Sequence, residues 1–175
     1  MDRKTLLPIF LLSTLFLPLK AQPRGEPVEV TVGDMEATPI GVSVTLRASG
    51  SKDAIHIMIG MAEGEAIARA LRHQSTPRPM TQDLLKAILD RNGWRVQKIL
   101  IRDLAGGTFL ADVILEKNGE TQVYDSRPSD AMAIGLRYNA KIYVNREVFE
   151  LERKGEEGDR EEKKPKSSDP DTLRL

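Results

Sequence analysis

The stretch DSRPSDAMAIGL, residues 125–136, joins a strand-like run to a helix-like run and marks the junction around which the chain is organised. Pro128 suits the first turn of a helix, because the amide that proline lacks would have no partner there. Ser129 and Asp130 follow at the helix start, where free amides and the positive end of the helix dipole favour acidic groups. Asp125, Arg127 and Asp130 are therefore expected to gather at one strand-to-helix junction.

This junction has two interpretations. In the first, it is a well-capped helix start at which Arg127 neutralises two acids, and residue type alone favours this interpretation. In the second, the same three charged side chains form a polar functional site. The rest of the chain is needed to choose between the two.

Composition bounds the possible functions. The 175 residues suffice for one domain with tails, and a hydrophobic content of 40% suffices for a modest core. A formal net charge of zero argues against a broadly basic surface, so any groove for nucleic acid must be a local patch. The absence of cysteine excludes disulfides, cysteine-ligated zinc and a thiol nucleophile. Since His56 and His73 are the only histidines, a histidine-rich metal site is excluded as well.

The N-terminus resembles a targeting segment rather than part of a fold. Arg3 and Lys4 precede an apolar run from Leu6 to Leu19, which is typical of a signal peptide covering residues 1–21. The run is short and contains two prolines, so we expect cleavage after Ala21, export to the periplasm or the exterior, and no stable membrane insertion afterwards. An uncleaved anchor and a misassigned start codon, which would leave the protein in the cytoplasm, stay open as alternatives.

The C-terminus is a charged tail. Residues 151–175 combine many acids and bases with glycines and prolines and have almost no apolar periodicity. This composition predicts disorder, because such a segment cannot bury enough apolar surface to offset its lost conformational entropy. The folded domain is therefore expected to cover residues 22–150.

Between the tails, the apolar pattern predicts a repeated order of strands and helices. The first half should contain strands Val28–Val32, Gly41–Arg47 and Ile55–Gly60, and helices from Glu63 to Arg72 and from Thr81 to Asn92. Thr81 is the expected cap of the second helix and Gly93 its terminator. The second half should contain strands Trp94–Arg102, Thr108–Glu116 and Thr121–Asp125, a helix from Pro128 to Tyr138, a short strand Ile142–Val144 and a helical turn near Glu147. A hairpin turn is expected at Asn118-Gly119.

The two halves align at an offset of 65 residues, which places Glu65 on Asp130 and Gly60 on Asp125. The identity is thin, but the matching order of elements favours a duplicated unit of three strands and two helices. Glu65 and Asp130 would then be equivalent acids at two helix starts that face one cleft.

A second Arg-Pro pair, Arg78-Pro79, leads to the helix start at Thr81, and Asp83 falls in the first turn of that helix. Taken alone, this motif is most simply a helix start with an Arg–Asp ion pair. Two such starts in one small domain favour a shared polar cleft only modestly. We therefore expect the charged residues of the first junction to form a partly buried cluster that Arg78, Asp83 or both join.

Seven acids could supply ligands for Mg²⁺ or Mn²⁺, which prefer carboxylate oxygens and keep waters that can become nucleophiles. These acids are Glu63, Glu65, Asp83, Asp103, Asp112, Asp125 and Asp130. No spacing among them is diagnostic, and solvated helix caps explain each acid singly. A sparse basic series around Trp94 is explained more simply by a half-solvated strand face than by nucleic-acid binding, and its members are Arg91, Arg95, Lys98 and Arg102.

From about Val28 to Glu150 the chain resembles the bifunctional nuclease family, a small domain long described as being of unknown function. The matching blocks are the isoleucine-rich strand into GMAEGEAIARAL, then RPMTQDLL, GTFLADVIL and, most specifically, DSRPSDAMAIGLRYNAKIYV. The resemblance implies an α+β fold: a single domain with a barrel-like mixed sheet built from two similar halves, each of three strands and two helices. It also implies a nuclease that hydrolyses phosphodiester bonds of DNA and RNA.

The resemblance further implies a set of site residues: Glu65, Arg78, Asp83, Asp125, Arg127, Ser129 and Asp130. The four acids would be catalytic, and two of them, Asp125 and Asp130, would hold Mg²⁺ or Mn²⁺. Arg78, Arg127 and Ser129 would bind the substrate. Nucleic acid is the expected partner, and a homo-oligomer is the expected assembly.

The chain departs from the family pattern in two respects. Relatives commonly carry histidine between the Thr and Asp of the second block, where this chain has Gln82, and glutamine cannot act as a general base. Relatives are also usually intracellular, whereas this chain is expected to be exported. A rival hypothesis is therefore a non-catalytic module that binds an anionic ligand or a protein partner through the same Arg/Asp cleft.

Overall fold

The computed structural model describes residues 25–162, which form seven strands and four helices. The strands are β1 (Val28–Thr38), β2 (Gly41–Ala48), β3 (Ala54–Ile59), β4 (Arg95–Ala105), β5 (Thr108–Lys117), β6 (Glu120–Ser126) and β7 (Lys141–Val144). The helices are α1 (Met61–Leu71), α2 (Thr81–Arg91), α3 (Pro128–Arg137) and α4 (Arg146–Glu162). The predicted strands and the first three helices are present, with boundaries that differ by a few residues.

All seven strands belong to one mixed sheet, in the order β3-β2-β1-β7-β4-β5-β6. Neighbouring strands are antiparallel except β4 and β7, which are parallel. The α+β single domain is therefore confirmed. Hydrogen bonds do not close the sheet, because β3 and β6 are edge strands, so its barrel-like character stays a prediction.

The strand order places two three-stranded meanders on either side of β7. β1 begins at Val28 and β4 at Arg95, and α1 begins at Met61 and α3 at Pro128, so both pairs of elements start 67 residues apart. The offset of 65 that aligned Glu65 with Asp130 is therefore wrong for the elements, although the duplication itself stays a prediction. At the structural offset, the third residues of α1 and α3 correspond, and these are Glu63 and Asp130.

The core lies between the sheet and the two helices α1 and α3, which also pack against each other. Gly64 of α1 lies over Val42 of β2, and Gly135 of α3 lies over Ile99 of β4. A Cβ atom at either glycine would lie 2.6 Å from the facing side chain. Each helix therefore approaches the sheet more closely than any side chain would permit, which fixes where the two helix starts lie.

Replacing Gly135 with alanine is expected to lower the free energy of unfolding by about 1–2 kcal/mol, because overpacking against the buried Ile99 outweighs the gain in helix propensity. Chemical denaturation of both proteins measures the difference. Gly155→Ala in α4 is the matched control: a Cβ there meets no atom within 4 Å, so this variant should be unchanged or slightly more stable. Equal destabilisation of both variants would contradict this description of the packing.

The start of α2 differs from the prediction that Thr81 caps it. Met80 is the N-cap residue and Thr81 is the first residue of the helix. The carboxylate of Asp83, the third residue of the helix, accepts a hydrogen bond from the Met80 amide at 2.9 Å, as the N3 residue of a capping box does. Gly93 follows the helix with a φ of +77°, as expected of its terminator.

α4 continues through residues 151–162, where the sequence predicts the start of a disordered charged tail. Val148 is buried and Phe149 packs against the core, so the first turn of the helix is anchored. Glu152 extends this contact by accepting a hydrogen bond from the His56 amide of β3. Charged residues with good helix propensity then continue the helix. The expected signal peptide and residues 163–175 lie outside the described residues.

Within the range 25–162, no helix combines the length and the apolar character that crossing a membrane requires.

Candidate functional site

Arg127 lies at the junction between β6 and α3 and connects the starts of two helices. Its guanidinium donates two hydrogen bonds to Asp130, at 2.7 and 3.1 Å, and one to Glu63 at 3.1 Å. These three residues form what we call the Arg127 cluster. The hydrogen bond to Asp130 is the main reason that the pKa of Arg127 is raised above its ordinary value. The side chain of Arg127 is nevertheless 66% exposed, so it remains accessible to a ligand.

The Arg127 cluster borders an open cleft of about 630 Å³. The cleft is lined by edge strand β3, the turn before β5, Gly60 and the first residues of α3. Gly60 is the N-cap residue of α1 and Arg127 that of α3, and no side chain caps either helix. Backbone amides and the positive ends of two helix dipoles therefore face this region together with an arginine, and the carboxylates of Glu63 and Asp130 in the two first turns offset part of this positive charge.

A second arginine holds two acids on neighbouring strands. Asp112 of β5 and Asp125 of β6 are cross-strand partners, and Arg102 of β4 donates hydrogen bonds to them at 2.6 and 2.8 Å. Like charges directly opposite each other would repel, and Arg102 offsets that repulsion. The hydrogen bond to Asp125 is the main cause of the raised pKa of Arg102. We call these residues the Arg102 cluster. The Asp125 side chain is 78% exposed, and within the described chain only one of its carboxylate oxygens accepts a side-chain hydrogen bond.

Asp83 belongs to a different contact, at the other end of α3. It accepts a hydrogen bond of 2.5 Å from Arg137, whose side chain is only 9% exposed. Arg137 also donates to the backbone carbonyls of Ala133 and Ala66, and it thereby ties α1, α2 and α3 together. The expectation that Asp83 joins the Arg127 cluster is wrong, because the ten residues of α3 separate the two positions by roughly 15 Å. This geometry assigns Asp83 a structural role.

The Asp83–Arg137 pair predicts a specific dependence of stability on pH. The hydrogen bond from Arg137 lowers the pKa of Asp83 below its ordinary 3.8, the Met80 amide adds to this, and burial opposes it. A depressed pKa in the folded state contributes stability that is complete above the unfolded-state pKa and is lost as the pH falls through the folded-state value. The free energy by which wild type exceeds Asp83→Asn should therefore be constant near neutral pH and should shrink below about pH 4.

Denaturant titrations of both proteins between neutral and acidic pH measure this difference. Asp34→Asn is the matched control, since Asp34 forms an exposed surface pair with Arg47 that contributes little to stability. A difference between wild type and Asp83→Asn that grows on acidification would contradict the assignment.

The other predicted site residues are distributed as follows. Glu65 forms a surface ion pair with Arg69 one helical turn away, at 2.7 Å, and makes no contact with the Arg127 cluster. Arg78 is exposed, and its side chain has no hydrogen bond or ion pair within residues 25–162, so the two Arg-Pro helix starts do not meet. Ser129 is buried and lines the 630 Å³ cleft beside Arg127.

Sequence reasoning missed three contacts that organise this region. These are the contacts of Glu63 with Arg127, of Arg102 with Asp125 and of Arg137 with Asp83. The sequence pattern presents Glu63 as one acid among seven, places Arg102 on a half-solvated strand face and gives no signal for Arg137. Arg102 lies at the register shift of β4 between Ile101 and Asp103, and the pairing of Asp112 with Asp125 brings both acids to it. The packing of α1 against α3 brings Glu63 to Arg127. The 67-residue offset between elements is the one sequence-level signal that would have selected Glu63.

The predicted metal ligands do not form a ready-made metal site. Both carboxylate oxygens of Asp130 accept hydrogen bonds from Arg127, so Mg²⁺ or Mn²⁺ would have to displace that arginine, whereas Asp125 has one oxygen left beside its bond to Arg102. In the part of the chain that the structure describes, no three His, Asp or Glu side chains lie close enough together to hold a metal ion.

Comparison with known proteins places this arrangement in a family. The sequence model of the bifunctional nuclease domain matches residues 44–156, which include both arginine clusters and the Asp83–Arg137 pair. The chain therefore belongs to the bifunctional nuclease domain family.

Two groups of relatives are similar to the chain. An uncharacterized protein of Mycobacterium tuberculosis (strain ATCC 25618 / H37Rv) is 37% identical over 104 residues, which cover 59% of this chain and 62% of that protein. Bifunctional nuclease 1 of Oryza sativa subsp. japonica is 28% identical over 116 residues, which cover 65% of this chain and 35% of that protein. The chain thus matches less than two thirds of the length of each relative.

Proposed function

We propose that this chain is a nuclease-like domain that hydrolyses phosphodiester bonds of nucleic acid at the β6–α3 junction. The observation that carries the proposal is the exposed guanidinium of Arg127 between the starts of α1 and α3, in a chain of the bifunctional nuclease domain family. A phosphate placed there would accept hydrogen bonds from Arg127 and from free helix amides.

Within this proposal the residues have distinct roles. Arg127 binds the scissile phosphate and stabilises the charge that develops as water attacks phosphorus. The P–O bond to one sugar oxygen breaks as the new bond forms, and the departing oxygen takes a proton from solvent. Asp125, about 7 Å away along the extended chain, accepts the proton of the attacking water through its available carboxylate oxygen. Asp130 and Glu63 are positioning residues that orient the Arg127 guanidinium. Arg102 orients Asp125.

The proposed mechanism uses no divalent cation, and the assay described below compares Mg²⁺, Mn²⁺ and chelator. The candidate acids are bound to arginines, so we derive no step through Mg²⁺ or Mn²⁺. Export, the homo-oligomer and nucleic acid as the partner are likewise proposals.

The second candidate function is a module that binds an anionic ligand without cleaving it. The arginine contacts of the acids favour it. Asp83, Asp125 and Asp130 each accept a hydrogen bond from an arginine, and such pairs neutralise charge without requiring a catalytic role. Gln82 in place of the histidine that relatives commonly carry also favours it.

A single assay distinguishes the two functions. Purified protein is incubated with an end-labelled single-stranded oligonucleotide in Mg²⁺, in Mn²⁺ and in chelator, and cleavage and binding are measured on the same samples. The nuclease proposal predicts cleavage that Asp125→Asn lowers by about 100-fold, because the general base is lost while binding is retained. Binding without cleavage would support the second function. Cleavage unchanged in Asp125→Asn would identify a contaminant and refute the proposal.

A further inference from the structure

The two edge strands of the sheet, β3 and β6, differ in whether another element covers them. α4 lies against β3, and the carboxylate of Glu152 accepts a hydrogen bond from the His56 amide on that edge. β6 pairs with β5 alone, and no other element among residues 25–162 pairs with its outer side. One edge of the sheet is therefore covered and the other presents its backbone N–H and C=O groups.

The β6 edge has two charged side chains, Glu120 and Asp125, but lacks the other features that protect solvent-exposed edges. Its sequence, ETQVYDS, contains neither lysine nor proline, and its register with β5 is continuous from Ala111↔Ser126 to Lys117↔Glu120, without a bulge. Natural edge strands commonly carry one of these features to prevent strand addition. A regular, unprotected strand of this kind is suited to pair with another strand.

Apolar side chains surround this edge. Val123 and Tyr124 of β6 are 61% and 50% exposed, and α2 contains no buried residue. An apolar groove of about 380 Å³ continues from Tyr124 to α2. The large exposed apolar side chains of α2 are Leu84, Leu85 and Ile88. α2 is attached to α3 chiefly through polar contacts at its two ends, Asp83–Arg137 and Asp90–Tyr138, so its apolar face is available for another surface.

We propose that β6 pairs with β6 of a second copy of this chain, antiparallel and centred on Val123, so that the two sheets become continuous. The charges of the strand fit this pairing. Glu120 would lie opposite Ser126 and Asp125 opposite Thr121, so that no like charges oppose each other. A two-fold axis through Val123 places both α2 helices on the same side of the joined sheet, next to the apolar groove of each copy. This inference names an interface for the homo-oligomer proposed above, and it does not depend on the proposed nuclease activity.

The molar mass of the full chain in solution, measured by sedimentation equilibrium, tests the proposal. Wild type is expected at twice the 19.5 kDa of one chain. Val123→Lys places two ammonium groups against each other on the axis, which should weaken the dimer by about 100-fold or more. Val123→Glu should do the same. An equimolar mixture of the two variants should recover the dimer mass, because lysine then opposes glutamate.

Ile40→Lys is the matched control, because Ile40 is 83% exposed and lies in the turn between β1 and β2. Its mass should equal that of wild type. Recovery of the dimer in the mixture excludes misfolding as the cause of dissociation in the single variants. A wild type that stays monomeric at about 100 µM, far above the Kd of a micromolar dimer, overturns the proposal. Monomeric protein in which the β6 amides that point away from β5 are protected from hydrogen exchange would assign the edge to residues outside 25–162 and would also overturn it.

Discussion

Replacing Arg137 with methionine is expected to lower the free energy of unfolding by about 2–4 kcal/mol, the largest change in stability that we predict for a polar side chain. Methionine fills a similar volume but removes every hydrogen bond that Arg137 donates to Asp83, Ala133 and Ala66. Asp83 and two carbonyls would then lose a partner in a region where water reaches them poorly. The partial exposure of Asp83, 37%, places the effect below that of a fully buried ion pair.

Chemical denaturation measures this change, and two variants define its cause. Arg137→Lys keeps the charge but loses the planar fork, so it should be intermediate. Arg47→Met removes the arginine of an exposed surface pair and should lie within about 0.5 kcal/mol of wild type. Equal stability of Arg137→Met and Arg47→Met would show that Arg137 does not hold the helices together.

Replacing Arg127 with alanine is expected to lower phosphodiester hydrolysis by about 100-fold or more, because it removes the charged donor that the proposed function places on the phosphate. Stability should change little, since the side chain is 66% exposed. Steady-state cleavage of a labelled oligonucleotide measures the activity, and thermal unfolding measures the stability. Arg127→Lys should recover part of the activity, since it restores the charge without the fork.

Arg47→Ala is the control for Arg127→Ala, because Arg47 is also an exposed arginine that is paired with an aspartate. It should retain wild-type cleavage. An equal loss of activity in both variants would point to a general effect of net charge on nucleic-acid binding. Full activity in Arg127→Ala would remove Arg127 from the site.

The elements that could be predicted from the sequence are those whose formation depends on a few adjacent residues. The turn at Asn118-Gly119 and the helix start at Pro128 follow from backbone conformations that those residues favour, and both are present. The extent of α4 could not be predicted, because its continuation follows from tertiary contacts of Val148 and Glu152 rather than from apolar periodicity. Strand order likewise depends on pairings between residues far apart in the chain, such as β4 with β7.

In the candidate site, too, contacts between neighbouring residues could be predicted, whereas contacts between residues far apart in the chain could not. The bond between Arg127 and Asp130 joins residues three apart at a helix start and was expected. The bonds from Arg102 to Asp125 and from Arg127 to Glu63 span 23 and 64 residues and depend on strand register and helix packing. Asp83 matches the family motif and was therefore expected in the site. Its contact with Arg137 instead holds helices together.

The central claim is that the starts of α1 and α3 form the phosphate-binding site, and amide chemical shifts test it most directly. ¹⁵N-labelled protein is titrated with a phosphorothioate oligonucleotide, which resists cleavage, and each backbone amide is followed by NMR. We expect the largest shifts at residues 61–63 and 129–130, where helix amides are free. Largest shifts at residues 81–83, at the start of α2, or no shifts at any helix start, would contradict it.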